Sequence, residues 1–304
     1  MKKLSVCVIF GGMSPEHDVS LRSAESVLNH LDPHKYNIVP VGITKTGDWY
    51  IYGGTDYAQL PTGEWVNHPM NRRAAISPVY RQGLLSFEGD CVVRERLDVV
   101  FPVLHGENGE DGAMQGLLQL AGIPYVGPHV SASAVSMDKT LTKLVIDSAS
   151  IRQAKWHLVR SSELNVRMER ILDQIEDKFT YPVFVKPAGT GSSVGVSKAA
   201  DREALKIALV KATAYDTKVL VEEFISGREV EVAVMGNESP VHPSAVRSIP
   251  VLSSTTTMPS MSRIPLWPTS PHESPRMCPS RCGMLRCGST PPSAARVSAV
   301  WISS

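Results

Sequence analysis

An α/β fold is what this sequence predicts: an N-terminal doubly wound parallel-sheet unit, a second α+β unit, and a tail that is largely irregular. Three stretches carry that reading. Leu4 to Phe10 is an uninterrupted apolar run that stops at Gly11-Gly12 and gives way to a helical pattern. Strand, tight turn and helix open a doubly wound sheet, whose strands read as continuous apolar runs because both faces are covered. Leu97 to Leu104 repeats the plan, running through a polar and glycine loop, His105 to Gly112, into a helix from Ala113 to Leu120. Tyr181 to Lys198 reads as a β-hairpin whose tip, Ala188 to Ser193, is almost wholly Gly, Ser and Thr.

Length and composition bound the rest. A chain of 304 residues has room for two or three cored domains, and a net charge of +1 argues against a nucleic-acid footprint. The apolar run at Leu4 to Phe10 is too short for a signal peptide or a membrane span, and no other run is long enough. A soluble, cytoplasmic protein is expected, with neither membrane nor nucleic acid among its partners. Of the five cysteines, Cys7 and Cys91 lie in strand-like apolar runs and read as small core residues of a reducing compartment.

In chain order, Ser14 is expected to cap the first helix, which runs to about Leu31 with Val19, Val27, Leu28 and Leu31 inward. Residues 37 to 43 and 49 to 52 look like strands, and 56 to 90 an irregular surface region. Gly122 to Gly127 holds a short strand, and Ser131 to Ile146 a helix containing Met137-Asp138-Lys139. Residues 150 to 180 read as a crossover with one amphipathic helix, Val166 to Ile175. The hairpin follows, with strands at Tyr181 to Val185 and Val194 to Lys198. A helix from Asp201 to Ala214, an apolar strand at Lys218 to Val221 and an alternating edge or antiparallel strand at Arg228 to Met235 complete the pattern.

Chemistry concentrates at a few of these places. Glycine and serine at a hairpin tip let backbone N–H groups close around phosphate oxygens, and Lys186, beside that tip, can meet a polyphosphate as a point charge. No GK[ST] follows, so this is not a Walker A loop, and without GxGxxG the first turn is not a dinucleotide fingerprint. Glu16 and Asp18 sit at a strand-to-helix turn, where ligands gather, although first-turn acids also simply favour a helix N-terminus. His105 is flanked by glycines and acids on a long strand-to-helix loop of the kind that carries function. Lys139, on a helix, says little by itself.

The segments GGMSPEHDVSLRSA, HGENGEDGAMQG, GIPYVG, SMDK, YPVFVKPAGTGSSVGVSK and LVEEFISGREVEVAVMG resemble, in order, the D-alanine–D-alanine ligase family of ATP-grasp enzymes across residues 4 to 240. The resemblance implies an N-terminal substrate-binding domain (1–127), an ATP-grasp central domain (128–240) and a C-terminal metal-binding domain. It implies ATP-dependent joining of two D-alanines through a D-alanyl phosphate for peptidoglycan precursor synthesis. It also implies Mg²⁺ or Mn²⁺, and it is compatible with a homodimer. A D-alanine–D-serine or D-lactate ligase of the same family is the alternative enzyme, and a non-catalytic nucleotide-binding relic the alternative of another class.

Residue by residue, the resemblance implies that Lys139 and Lys186 contact the nucleotide phosphates and that Gly191, Ser192 and Ser193 belong to the loop closing on them. Glu222, Glu223 and Ile225 would meet the adenine, and Glu229 the ribose hydroxyls. Glu16 would hold the ammonium of the first D-alanine, with Ser192 helping to position it and His105 near the substrate carboxylate.

The last segment departs from the family. Residues 241 to 304 contain no Lys or Asp, one Glu (Glu273) and ten prolines, a composition that suggests a disordered tail. Joining the last base of each codon to the first two of the next explains it. Ser253 to Met261 then permits FYDYDAKY, Pro268 to Ser274 permits DIPARI, and Arg296 to Ser304 permits GLSRVDFF. Met258-Pro259 can only give Ala, and Trp301-Ile302 only Asp. All three strings resemble successive family segments in one frame, so the tail reads as out of frame, with the slip between Val241 and Leu252. Cys278, Cys282 and Cys287 are then translation accidents, no metal ligands can be proposed, and the chain as written is expected to be inactive. The tyrosines of FYDYDAKY favour the dipeptide ligase.

Overall fold

The first strand, β1 (Leu4–Gly11), is buried on both faces, which is why its sequence shows no polar alternation. Val6, Val8 and Phe10 pack with Leu21, Ala24 and Leu28 of α1 (His17–His30), while Cys7 and Ile9 join a second cluster on the other face. The protein is described by a computed structural model over residues 2–191, 194–227, 229–237, 239–240, 247–249 and 299–303.

From β1 the chain continues through β2 (Tyr36–Ile43), β3 (Trp49–Ile51), β4 (Arg72–Ile76), β5 (Leu84–Glu88), β6 (Cys91–Glu95) and β7 (Val99–Pro102) to α2 (Ala113–Ala121). The seven strands form one sheet in the order β6-β5-β4-β3-β2-β1-β7. β1 runs parallel to β2 and β7, the expected parallel core, whereas β2 to β6 form an antiparallel meander. The meander corrects the expectation of an irregular 56–90 region. Its strands are short and polar on one face, so they lack the long apolar run that marks β1. Cys91 lies exposed on β6 rather than in a core. Cys7 is buried, and burial pushes its thiol pKa up. Ser14 is not the helix cap: Glu16 is the residue before the first helical turn, and the Ser14 hydroxyl takes the Glu16 backbone N–H at 3.0 Å. The strand expected at 122–127 reduces to one bridge between Val100 and Tyr125.

The second part begins with α3 (Val130–Met137) and α4 (Lys139–Ser148), which replace the single helix expected there. Asp138 divides them by capping α4, accepting from the N–H groups of Thr140 and Leu141 at 2.9 and 3.2 Å. Next come β8 (Trp156–Arg160), α5 (Ser161–Glu176), β9 (Val183–Pro187), β10 (Ser197–Ala199), α6 (Arg202–Thr213) and β11 (Lys218–Glu223). They build a four-stranded antiparallel sheet, β10-β9-β11-β8, with α5 and α6 on one face. β8 had no counterpart in the sequence reading, and α5 begins earlier than expected because a first helical segment from Ser161 runs into the expected helix across a kink at Arg167. Arg202 ties the two helices together by pairing with Glu169, Asp173 and Glu176.

Beyond Gly227 the chain forms β12 (Glu229–Met235), flanked antiparallel by β13 (Arg247–Ile249) and β14 (Ala299–Ser303). Two short stretches of the tail are therefore strands. Cys278, Cys282, Cys287 and the rest of 250–298 lie outside the described residues. Among the described residues, no helix is long and apolar enough to cross a membrane.

Candidate functional site

Gly11-Gly12 sets the turn that delivers Glu16. Both glycines have positive φ (87° and 98°), and a Cβ on Gly11 would stand 2.1 Å from the Ile43 carbonyl oxygen. Ser20 fastens the turn from below, accepting the Gly11 N–H at 2.8 Å and donating to the Val103 carbonyl. Glu16 is half-buried at the head of α1, and its side chain does not cap that helix.

The loop after β7 is folded by its own acids. Glu110 accepts the Gly106 N–H at 2.7 Å, Asp111 accepts those of Asn108 and Ala113 at 2.8 and 3.0 Å, and Gln115 donates to the Gly109 carbonyl at 2.8 Å. Glu110 and Asp111, two of the three acids that drew attention in the sequence, are thus structural. His105 remains half-buried with Nε2 3.0 Å from the Ser23 hydroxyl, a partner that sequence reasoning missed.

Strand alternation divides the second sheet into a core face and a lysine face. Val183, Val185, Val219 and Val221 enter the apolar cluster under α5 and α6. Phe184, Lys186, Leu220 and Glu222 therefore share the opposite face. In the β9–β11 register Lys186 stands opposite Leu220 and Phe184 opposite Glu222, so Lys186 and Glu222 are diagonal neighbours. Their Nζ and Oε2 atoms are 2.6 Å apart. Lys186 lies within β9 rather than at its exit.

Helix α4 reaches this face through its lysine side chains. Its one-turn spacing aligns Lys139, Lys143 and Asp147. Lys143 pairs with the second oxygen of Glu222 at 3.0 Å, and Asp147 accepts from the Trp156 indole N–H at 3.0 Å. Lys139 donates to the Thr190 carbonyl in the hairpin tip and lies 3.4 Å from the Ala188 carbonyl. Burial and the neighbouring Lys186 charge hold its ammonium pKa below the ordinary lysine value. For Glu222, burial favours the neutral acid, but Lys186 and Lys143 outweigh it and the carboxyl stays below its usual value. Lys143 was absent from the sequence reading, although its position one turn after Lys139 was a usable signal.

The expected adenine contacts divide. Glu222 turns both oxygens to lysines, and Glu223, on the other face, accepts the Lys155 backbone N–H at 2.7 Å. Ile225 is exposed, and Phe224 beside it stacks near Phe184 with ring centroids 5.9 Å apart. Glu229 opens β12. Ser192 and Ser193 lie outside the described residues, while their neighbour Gly191 is placed so that an added Cβ would meet Glu16 Oε2 at 2.5 Å. A Cβ on Gly106 would meet the same oxygen at 2.2 Å. The carboxylate of Glu16 therefore lies where the loop after β7 and the hairpin tip converge. Among the described residues, no group of three or more His, Cys, Asp or Glu side chains could hold a metal ion.

Two family models cover most of the chain: D-ala D-ala ligase N-terminus over residues 5–128 and D-ala D-ala ligase C-terminus over residues 145–270. A D-alanine–D-alanine ligase of Acetivibrio thermocellus is 47% identical over 260 residues, which cover 82% of this chain and 69% of that relative. Among solved structures, the VanG D-Ala:D-Ser ligase from Enterococcus faecalis superposes with a TM-score of 0.73 at 36% identity, covering 81% of this chain and 70% of that one. The D-alanine–D-alanine ligase from Coxiella burnetii gives 0.71 at 35% identity, covering 82% and 71%. Fold and relatives together make the protein an ATP-dependent ligase by class. The chain belongs to the D-alanine–D-alanine ligase family, whose substrates are D-alanine and ATP and whose product feeds peptidoglycan synthesis.

Proposed function

We propose that Glu16 and the hairpin lysines are the two ends of one active site, and that the reaction proceeds in two displacements. The carboxylate of the first D-alanine attacks the γ-phosphorus of ATP, the bond to the bridging oxygen breaks, and ADP leaves. The amine of the second D-alanine, having lost a proton, then attacks the acyl carbon of the D-alanyl phosphate. A peptide bond forms and phosphate departs.

One observation supports this assignment above the others: Glu16 abuts Gly191, and Lys139 holds the carbonyl of the preceding Thr190. An acid suited to a substrate ammonium and a lysine suited to phosphate thus flank the same small-residue tip. Lys139 and Lys186 balance charge on the transferring oxygens, an electrostatic task for which preorganised cations suffice. Gly191, with Ser192 and Ser193, closes on the phosphates, and Ser192 also positions the first D-alanine. Glu16 pairs with the ammonium of that substrate, and His105 stands near its carboxylate. The lysine face beside Phe184 and Phe224 offers apolar walls for adenine near Glu222, Glu223 and Ile225, with Glu229 toward the ribose. Mg²⁺ or Mn²⁺ is assigned to no residue, because the described side chains do not fit it, and no step is routed through it.

We divide the chain into a substrate domain (1–127), an ATP-grasp domain (128–240) and an out-of-frame segment (241–304). Its ATP supply places the reaction in the cytoplasm. The neighbouring-frame string FYDYDAKY favours D-alanine over D-serine or D-lactate as second substrate. The test is D-alanine-dependent phosphate release from ATP. It compares the 304-residue chain with a form continued in the neighbouring frame to the length of the relatives. Turnover is expected from the continued form and at least about 10³-fold less from the chain as written, the scale of the transition-state stabilisation a metal ion supplies. Equal turnover from both overturns the frame reading, and none from either overturns the ligase assignment.

A further inference from the structure

Glu222 is a buried carboxylate held between two ammonium groups of different exposure: the Lys143 side chain is 15% accessible and that of Lys186 is 30% accessible. The partners also differ in what surrounds them. Lys186 lies on β9, one residue before the proline that leads into the hairpin tip, and Lys143 lies half-buried on α4 with its ammonium on Glu222. In the nucleotide-site reading, on which this inference rests, Lys186 must turn toward a phosphate. It would then give up its 2.6 Å contact with Glu222. A carboxylate left without a partner in a low-dielectric site is costly, and that cost would be set against ATP binding.

We propose that Lys143 is a positioning residue: it keeps Glu222 paired while Lys186 passes from Glu222 to the nucleotide. Lys143 acts through Glu222 and need not touch the phosphates. Two cations sharing one acid form a device in which one can exchange partners because the other stays. The alternation of β9 and β11 puts Lys186 and Glu222 on one face, and the one-turn step from Lys139 to Lys143 aims the second cation at the same acid. Lys139 cannot substitute, since its ammonium is engaged by the carbonyls of Thr190 and Ala188.

The test measures the Kd for ATP of the 304-residue chain by calorimetry, with a thermal melt as fold control. Lys143→Met is expected to weaken ATP binding at least about tenfold, and Lys143→Arg to restore most of it, because a buried acid requires a paired cation. Glu222→Gln is measured alone as well, and adding Lys143→Met to it is expected to change the Kd by no more than a few-fold, since a neutral amide needs no counter-ion. The double variant also carries the test if Lys143→Met alone does not fold. An unchanged Kd for Lys143→Met alongside a weakened Lys186→Met overturns this inference and leaves the nucleotide-site reading intact. A double variant tenfold weaker than Glu222→Gln alone also overturns it, since Lys143 would then be acting other than through Glu222. An unchanged Kd for Lys186→Met, or a parent chain that binds no ATP, overturns the nucleotide-site reading and this inference with it.

Discussion

Glu16 and Gly191 meet across the two sheets: a Cβ on Gly191 would lie 2.5 Å from Glu16 Oε2 and 3.1 Å from Oε1. Because the atoms that must yield are the end of a flexible side chain, Gly191→Ala is expected to move the carboxylate without unfolding the protein. In the continued, active form the KM for the first D-alanine should rise roughly tenfold, the worth of about one charge-assisted hydrogen bond. Thermal stability should shift by less than about 0.5 kcal/mol. Steady-state kinetics and a melt on the same preparation check both, and an unaltered D-alanine KM would show that the contact is incidental.

Glu16→Gln is expected to raise the KM for the first D-alanine by at least about tenfold while leaving that for ATP within a few-fold. A desolvated ammonium needs a carboxylate rather than an amide. Equal loss at both substrates would reduce Glu16 to a favourable charge at the start of α1.

Lys186→Ala should weaken ATP binding and turnover together, by about tenfold or more, because a charge-assisted contact to phosphate is worth about 1.5–3 kcal/mol. Titration with ATP, followed by a turnover assay, decides it. An unaltered ATP affinity would remove Lys186 from the site.

The pH dependence of stability should report Glu222. Its folded pKa is lowered from the ordinary 4.5: burial raises it, and Lys186 and Lys143 lower it by more. A lowered carboxylate pKa contributes stability above the unfolded value and loses it as pH falls through the folded one. Glu222→Gln should therefore cost about 1.5–3 kcal/mol at neutral pH. Its melting curve should converge with that of the parent below pH 4.5 as the parent acid protonates. Melts across an acid-to-neutral series test this, and parallel curves would show that Glu222 is not the titrating group.

The sequence alone determined the elements whose pattern is local. Leu4 to Phe10 announced a doubly covered strand, Gly11-Gly12 the turn behind Glu16, and the small residues of the hairpin tip a close approach of backbone to ligand. Family-like segments from GGMSPEHDVSLRSA to LVEEFISGREVEVAVMG carried the class of reaction, because side chains that touch a common substrate keep their type and spacing. The meander strands β4 and β5 and the strand β8 were not legible, since short, half-polar strands acquire their conformation from the neighbour they pair with. Nor was the work of the acids in the loop after β7, where Glu110 and Asp111 bind backbone rather than ligand. The Lys143–Glu222–Lys186 cluster was a matter of tertiary structure alone. Nothing in the chain order reveals that β9 and β11 align with Lys186 diagonal to Glu222, or that α4 brings Lys143 to the same acid. Sheet register and helix docking depend on the whole core, and through them three side chains remote in sequence come to share one buried charge.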